Sequence, residues 1–153
     1  LSYASFEWDQ PKISGAESTD ISTPVTVEID ITNTSARKGT EVVQLYIEPP
    51  PSIIHRPLQE LKGYAKIEIP AGETRTAKIE LGYRSFAYYD PGDQFYNTLA
   101  DNSPVPRERG ERHIEPGWYV SPGTYKVVIA HSASNSHTVV DYTLTGEETR
   151  QNP

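Results

Sequence analysis

The stretch Pro24–Thr34, PVTVEIDITNT, decides the fold class because apolar and polar residues alternate along most of its length. Val25, Val27, Ile29 and Ile31 take every second position, and threonine, glutamate or aspartate lies between them. Successive side chains of a β-strand point to opposite faces, so this period of two predicts a strand with one buried face. Such a face must be covered by a second layer, and the stretch therefore predicts a layered β-fold.

Five further stretches repeat the period of two, and each supplies its own set of predicted core residues. These residues are Val43, Leu45 and Ile47; Ala65, Ile67 and Ile69; Ala77, Ile79 and Leu81; Tyr125, Val127 and Ile129; and Val140, Tyr142 and Leu144. Short turns separate the strands, including PAGE after Ile69 and SPG before Thr124. In the turn SARKG we expect Gly39 to take a positive φ, which glycine adopts without steric cost.

The fold class follows from these strands and from the absence of a helical pattern. No stretch shows a sustained period of 3.6, and 13 prolines and 10 glycines would interrupt long helices. With about seven short strands, the chain indicates an all-β, immunoglobulin-like two-sheet β-sandwich that forms a single domain over residues 1–153. No cysteine is present to form the usual immunoglobulin disulfide, which favours the fibronectin type III-like form. One long polar loop is inserted at about 90–117.

The stretch RPLQELKGYAKIEIPAGET, residues 56–74, mixes charged and apolar residues in one segment. We interpret it as scaffold, in which Leu58 and Leu61 anchor the entry of a strand and Gly63 allows a bulge or a close backbone approach. The charged residues fit a sandwich edge or a contact with a neighbouring domain; they are Arg56, Glu60 and Lys62.

Charge and composition exclude several classes of partner. The net charge of −7 opposes binding to a nucleic-acid backbone or to an anionic membrane surface. No apolar run suggests a transmembrane helix or a signal peptide. Because the chain contains no methionine, we expect it to be a piece of a larger protein. The absence of cysteine leaves the localisation open between secreted and intracellular.

Metal and cofactor sites are not expected. The four histidines, His55, His113, His131 and His137, contain no pair with the helical i, i+4 spacing of metal ligands. His131 and His137 flank a predicted hairpin turn, which favours a structural role for both. No dinucleotide-binding glycine motif occurs, so no cofactor is predicted.

Catalytic residues are also not expected within this chain. Glycoside hydrolysis needs two carboxyl groups about 5–9.5 Å apart, and the pairs Glu7/Asp9 and Asp90/Asp93 are candidates only by spacing. Asp90-Pro91-Gly92-Asp93 is better explained as a turn, because aspartate and Pro-Gly set turn geometry themselves. No serine lies in a nucleophile-elbow motif.

Asn33 begins the sequence Asn-Thr-Ser, which fits the N-glycosylation pattern and makes Asn33 a candidate glycan site in a secreted protein. The alternative is that Asn33 ends a strand and that its side chain caps the following turn. We favour this second interpretation.

Aromatic residues are the better indicator of contacts, because ten tyrosines, three phenylalanines and two tryptophans exceed the needs of the alternating core positions. Phe95, Tyr96, Trp118 and Tyr119 bracket the long loop. Aromatic side chains suit protein interfaces and sugar stacking alike. Trp118 adjoins a strand, so we expect it to lie in the core. For Phe95 and Tyr96, a role in an interface and a role in packing are expected equally.

The chain resembles the C-terminal fibronectin type III-like domain of family 3 glycoside hydrolases, which include β-glucosidases and β-xylosidases. The resemblance covers nearly the whole chain and rests on ordered motifs: LSYASFEW, VTVEIDITNTSARKGTEVVQLYI, RPLQELKGYAKIEIPAGET, SFAYYD and PGTYKVVIAHSA. Its most specific part is the coupled set L-S-Y-x-x-F, E-V-V-Q-L-Y, R-P-x-x-E-L-K-G and P-G-x-Y. The assignment depends on this motif set, because a shared fold alone does not fix a function.

The resemblance implies that this chain alone is not an enzyme. Family 3 enzymes are retaining, with an aspartate nucleophile in a barrel-type domain and an acid/base glutamate usually in an α/β sandwich domain. Neither domain corresponds to these residues, so the resemblance assigns no catalytic residue to this chain. The implied role is an accessory domain that packs on and stabilises the catalytic domains of the same polypeptide.

The resemblance also implies where contacts are made. The first segment would lie at the junction with the preceding domain. The 90–117 insert departs from the common family pattern, and we expect it to extend towards the catalytic cleft or a neighbouring subunit. The candidate contact residues are Tyr3, Phe6, Trp8, Phe95, Tyr96, Arg107, Arg109, Arg112 and Trp118.

Two alternative functions stay open from the sequence. Exposed aromatics would also suit a surface-binding module for polysaccharide or lignin. A stand-alone adhesion or interaction domain is the third reading of the same fold. The substrate of the parent enzyme is not determined by these residues.

Overall fold

The computed structural model describes residues 5–51, 59–92, 114–132 and 135–153. Within them, a first sheet comprises β1 (Phe6–Trp8), β2 (Lys12–Ser14), β3 (Val25–Asn33) and β6 (Thr74–Leu81). A second sheet comprises β4 (Gly39–Glu48), β5 (Glu60–Ile69), β9 (Gly123–Ser132) and β10 (Asn135–Leu144). A third, small sheet comprises β7 (Tyr88–Asp90), β8 (Gly117–Val120) and β11 (Thr149–Gln151), and the short helix α1 (Tyr83–Phe86) precedes it.

The first sheet is built around β3, the strand on which the fold class was predicted. One edge of β3 pairs with β6, and the other edge pairs with β1 and β2 in succession, all antiparallel. The second sheet has the order β10-β9-β4-β5, and the small sheet has the order β11-β8-β7. The prediction of an all-β sandwich is confirmed.

The main core lies between the first and second sheets and contains the alternating residues that the sequence predicted. Most of these positions are buried, and four are half-buried against the same core: Ala65, Ile67, Val140 and Tyr142. Full burial of a valine, leucine or isoleucine side chain stabilises the fold by about 1.5–3 kcal/mol. The paired sheets are therefore held together chiefly by these apolar rows.

The turns differ from the prediction at one glycine. Gly72 (φ 73°) and Gly123 (φ 142°) have positive φ in the predicted PAGE and SPG turns. Gly39 was wrongly assigned a positive φ: it begins β4 in extended pairing with Ile69. The turn before it is held instead by the side chain of Asn33, so no left-handed residue is needed at Gly39.

The small sheet was not predicted, and it carries a core of its own. Tyr88, Ile114 and Tyr119 form this second buried cluster. The backbone N–H of Gly92 donates to Asp90 Oδ1 at 2.9 Å, which confirms the turn interpretation of this segment. Asp93 lies outside the described residues.

Strand β5 contains the irregularity that the sequence suggested at Gly63. Gly63 lies opposite Leu45 and Leu61 lies opposite Tyr46, so a bulge interrupts the register between them. A Cβ atom on Gly63 would lie 2.8 Å from Ile79 Cγ2, which confirms a close approach. The prediction that Leu61 anchors the strand entry is wrong, because Leu61 is 52% exposed.

No helix among the described residues is long and apolar enough to span a membrane. Leu58 and Arg56 lie outside the described residues, as do His55 and His113.

Candidate interaction surfaces

The first candidate surface is a cluster around Trp8, which we call the Trp8 clasp: Trp8, Glu41, His131 and His137. The indole N–H of Trp8 donates to Glu41 Oε2 at 3.1 Å. The indole ring centre lies 3.9 Å from the ring centre of His131 and 5.2 Å from that of His137. His131 Nδ1 lies 4.0 Å from Glu41 Oε2. The clasp therefore joins β1 of the first sheet to β4, β9 and β10 of the second.

The clasp explains what the two histidines do in the fold. Their rings are 6.1 Å apart, and both pack on Trp8. His137 Nε2 also lies 3.3 Å from the carbonyl oxygen of Asp9, within hydrogen-bond distance. Among the described residues, no group of three or more histidine, cysteine or acidic side chains is arranged to hold a metal ion. Sequence reasoning missed the convergence with Trp8, because β1 is far from the hairpin along the chain.

Phe6 and Trp8, predicted as contacts with a neighbouring domain, are half-buried against the core of this domain. Much of their apolar surface is therefore used within the chain itself. A contact of the remaining surface with another domain stays a prediction. Tyr3 lies outside the described residues.

We expect Trp8→Ala to lower the free energy of unfolding by about 2 kcal/mol, because it removes a half-buried ring and its contacts with two imidazoles. Urea unfolding followed by circular dichroism measures this change. Glu41→Gln serves as the matched control, because it keeps an oxygen acceptor for the indole N–H and should unfold within about 0.5 kcal/mol of wild type. Equal stability of Trp8→Ala and wild type would contradict the clasp.

The second candidate surface lies on the small sheet, where Tyr89, Trp118 and Gln151 form one cross-strand row. Trp118 lies directly opposite Tyr89 on one side and Gln151 on the other, so the three side chains share a face. The Tyr89 and Trp118 ring centres are 5.2 Å apart. The Arg84 guanidinium carbon lies 4.4 Å from the Trp118 ring centre, within the range of a cation–π contact. We call these four residues, Tyr89, Trp118, Gln151 and Arg84, the β8 row.

The β8 row combines aromatic faces with hydrogen-bonding groups on an accessible surface. Tyr89 is 45% exposed, whereas Trp118 is half-buried and also packs on the main core. The core role expected for Trp118 is therefore only part of its environment. The row is fixed from behind by Tyr83, whose hydroxyl donates to the carbonyl oxygen of Trp118 at 3.3 Å. Burial raises the pKa of the Tyr83 phenol above its ordinary value of 10.0.

The third candidate surface is the outer face of the second sheet, which we call the outer-face band: Tyr46, Leu61, Tyr64, Val128 and Val139. Leu61, Tyr64 and Val139 are exposed large apolar side chains. Sequence reasoning missed this surface, although a signal was present. Tyr46 and Val128 lie between the predicted core positions of their strands, where polar residues are expected on a solvated face. Tyr64 and Val139 directly precede the first predicted core positions of theirs.

The remaining predicted contact residues cannot be placed on these surfaces. Phe95, Tyr96, Arg107, Arg109 and Arg112 lie outside the described residues. Their assignment as contacts of the insert therefore stays a prediction.

Asn33 is fully buried, and both ends of its side-chain amide are used. Its Nδ2 donates to the carbonyl oxygens of Arg37 at 2.7 Å and Ile69 at 2.8 Å. Its Oδ1 accepts from the backbone N–H of Ser35 at 2.9 Å and from the Ser35 hydroxyl at 2.7 Å. A glycan would need this nitrogen at the surface, so the structure contradicts the glycosylation hypothesis. The capping interpretation matches the observed geometry.

Comparison with known proteins identifies a matching family model and relatives of this chain. A family model described as the fibronectin type III-like domain matches residues 41–133. The chain is 39% identical over 90 residues to a β-glucosidase of Rhizobium radiobacter, a match that covers 59% of this chain and 11% of that protein. It is 31% identical over 148 residues to an exo-α-(1→6)-L-arabinopyranosidase of Bifidobacterium breve, covering 96% of this chain and 16% of that protein.

A solved structure of a protein of the same kind is also similar to this chain. The crystal structure of a GH3 β-glucosidase from Bifidobacterium adolescentis matches with a TM-score of 0.70 and 28% identity, covering 94% of this chain and 18% of that protein. The chain thus spans only 11% to 18% of the length of these three relatives.

Proposed function

Because the chain belongs to the fibronectin type III-like domain family, we propose that it is an accessory domain of a family 3 glycoside hydrolase of the β-glucosidase type. In this role it is not catalytic; it packs on the catalytic domains of the same polypeptide and stabilises them. The observation that carries the proposal is the match of 94% of this chain to 18% of a GH3 β-glucosidase. The chain corresponds there to one module of a much longer enzyme.

The chemistry of the described carboxylates agrees with an accessory role. Asp90, the described member of one candidate acid/base pair, accepts a hydrogen bond from the Gly92 backbone and so belongs to a turn. Glu7 and Asp9, the other pair, lie on or beside the short edge strand β1 and are exposed. A general acid normally lies in an apolar pocket, whereas Glu7 and Asp9 are exposed.

The proposal is tested by assaying two proteins on p-nitrophenyl β-D-glucopyranoside and the matching xyloside: the 153-residue chain and the native polypeptide that contains it. We expect hydrolysis only by the native polypeptide. Removing this domain from the native polypeptide should lower its melting temperature, because apolar surface becomes exposed on the catalytic domains. Hydrolysis by the isolated chain, or a native polypeptide inactive on every glycoside tested, would refute the proposal. Adding p-nitrophenyl α-L-arabinopyranoside to the assay reveals the preferred sugar, since the names of the relatives differ between glucose and arabinopyranose.

The insert is proposed to contribute to the surroundings of the active site or to oligomerisation. Gly92 and Ile114 flank residues 93–113, and a Cβ atom on Gly92 would lie 2.8 Å from the carbonyl oxygen of Ile114. The two flanking residues are therefore close enough to be joined by a short Gly-Ser linker. In the native polypeptide, replacing residues 93–113 by such a linker should raise KM several-fold or change the molecular mass in solution. Unchanged kinetics together with an unchanged mass would count against the proposal.

A second candidate function is binding of polysaccharide or lignin, and the β8 row is the observation that favours it. Tyr89 provides an exposed ring beside Trp118, and Arg84 and Gln151 provide donors for hydroxyl groups, a combination that suits binding of sugars. Retention of the 153-residue chain on insoluble cellulose, xylan and lignin measures this binding. Tyr89→Ala should reduce retention, whereas Tyr64→Ala on another sheet should not. A chain that is not retained on any of the three materials would exclude this function.

A further inference from the structure

The outer-face band crosses all four strands of the second sheet without interruption. Leu61 on β5 lies opposite Tyr46 on β4, Tyr46 lies opposite Val128 on β9, and Val128 lies opposite Val139 on β10. Side chains of directly opposed residues share one face of a sheet. Tyr64 lies opposite Gln44, beside this row and on the same face. The result is a continuous apolar band on the side of the sheet that faces away from the core.

The exposure of the band is uneven: its centre is buried, whereas the residues towards its ends are exposed. Val128, at its centre, is 5% exposed. Leu61, Tyr64 and Val139 are 52%, 70% and 50% exposed. Single exposed apolar residues are normal on a protein surface, whereas a contiguous apolar patch marks an interaction site.

Charged residues border the band, as expected for an interface with an apolar centre and a polar rim. On one side Lys126 lies between Glu48 and Asp141, and its Nζ is 3.4 Å from Asp141 Oδ1. On the other side Lys66 lies opposite Val42. Among the described strands β5 lies at the edge of its sheet, and its charges also oppose pairing with another strand. Contact is therefore expected through the face of the sheet.

We propose that the outer-face band is the surface by which this domain docks on the catalytic part of its own polypeptide, an inference that rests on the proposed function. The occupant follows from length: the matched region is 18% of the GH3 β-glucosidase, so most of such a polypeptide lies outside this domain. A second copy is the weaker occupant, because two chains that each carry a net charge of −7 repel each other. Tyr64, whose ring is the most exposed of the band, is the main anchor of the docked surface.

Oxidative footprinting of Tyr64 tests the proposal without altering the protein. Hydroxyl-radical labelling of Tyr64 should be about tenfold lower in the native polypeptide than in the 153-residue chain, because the ring becomes covered. Tyr89, exposed on the small sheet, is the internal reference. Equal labelling of Tyr64 in both proteins would overturn the proposal.

A variant gives an independent readout. Tyr64→Ser should leave the unfolding of the 153-residue chain unchanged, because the ring packs little within it. In the native polypeptide the same change should speed proteolytic release of this domain about tenfold, which corresponds to about 1.4 kcal/mol of lost docking free energy. The matched variant Tyr64→Phe, which keeps the ring, should not alter the release. Equal release rates for Tyr64→Ser and wild type would overturn the proposal.

The other occupants give distinct results. Protection of Tyr64 in the isolated chain that is lost on dilution would assign the face to a second copy and overturn the proposal. Protection that appears only with added glucan would assign it to a carbohydrate and overturn it as well. An active native glycosidase with Tyr64 unprotected refutes the docking surface alone, whereas an inactive polypeptide with Tyr64 protected supports the surface and refutes the enzyme assignment.

Discussion

Asn33→Asp is expected to lower the free energy of unfolding by about 3–5 kcal/mol, the usual cost of an uncompensated buried charge. The Asn33 side chain has no exposed surface, and its Nδ2 faces the carbonyl oxygens of Arg37 and Ile69. A carboxylate at this position would place a negative oxygen against both carbonyls and would lose two donated hydrogen bonds. The variant should also unfold at a lower urea concentration without a change in the slope of the transition.

The matched control is Asn152→Asp, the same chemical change at an exposed position near the C-terminal end of the chain. It should alter the unfolding free energy by no more than about 0.5 kcal/mol. Asn33→Ala should lie between the two, at about 2–3 kcal/mol, because it leaves the carbonyl oxygens without donors but adds no charge. An Asn33→Asp protein as stable as the control would show that the turn does not depend on this amide.

The sandwich could be predicted from the sequence because its strands are long and their alternation is regular. In β3 each of the residues Val25, Val27, Ile29 and Ile31 faces the core, as the period of two requires. The turn after β3 could not be assigned in the same way. Its conformation depends in part on the hydrogen bond from Asn33 Nδ2 to the carbonyl oxygen of Ile69, 36 residues away, and the expectation for Gly39 failed for that reason.

The small sheet could not be predicted because its strands have only three or four residues each, too few to show a period. Their partners are far apart in sequence, since β11 pairs with β8 about thirty residues earlier. The outer-face band escaped prediction for a different reason. Alternation identifies the core face, but the use of the opposite face depends on partners that a single sequence does not reveal.

The contacts of the two tryptophans could also be predicted only in part. The aromatic character of Trp8 and Trp118 was visible in the sequence, yet their partners were not. Trp8 meets two histidines from the β9–β10 hairpin, and Trp118 meets Arg84 from α1. Residue type therefore predicts that a contact exists, whereas topology decides which residue makes it.

Tyr125→Ala is expected to lower the free energy of unfolding by about 3–5 kcal/mol, as for other large aromatic side chains removed from a core. Tyr125 is fully buried, and its ring meets the edge of Phe86 with centres 5.3 Å apart. Its hydroxyl donates to the carbonyl oxygen of Ser121 at 2.7 Å, four residues earlier, in the manner of a tyrosine corner.

Tyr125→Phe separates the hydrogen bond from the packing. The ring remains, so the expected loss is about 1–2 kcal/mol, the cost of leaving the Ser121 carbonyl without its donor. That carbonyl belongs to the turn between β8 of the small sheet and β9 of the sandwich, where Gly123 has φ of 142°. The hydroxyl therefore fixes how the β8 row is presented, and Tyr125→Phe should also increase amide hydrogen exchange in β8. Tyr64→Phe, at a 70% exposed position, is the matched control and should change neither quantity. If both variants exchanged alike, the hydroxyl of Tyr125 would have no part in placing the small sheet.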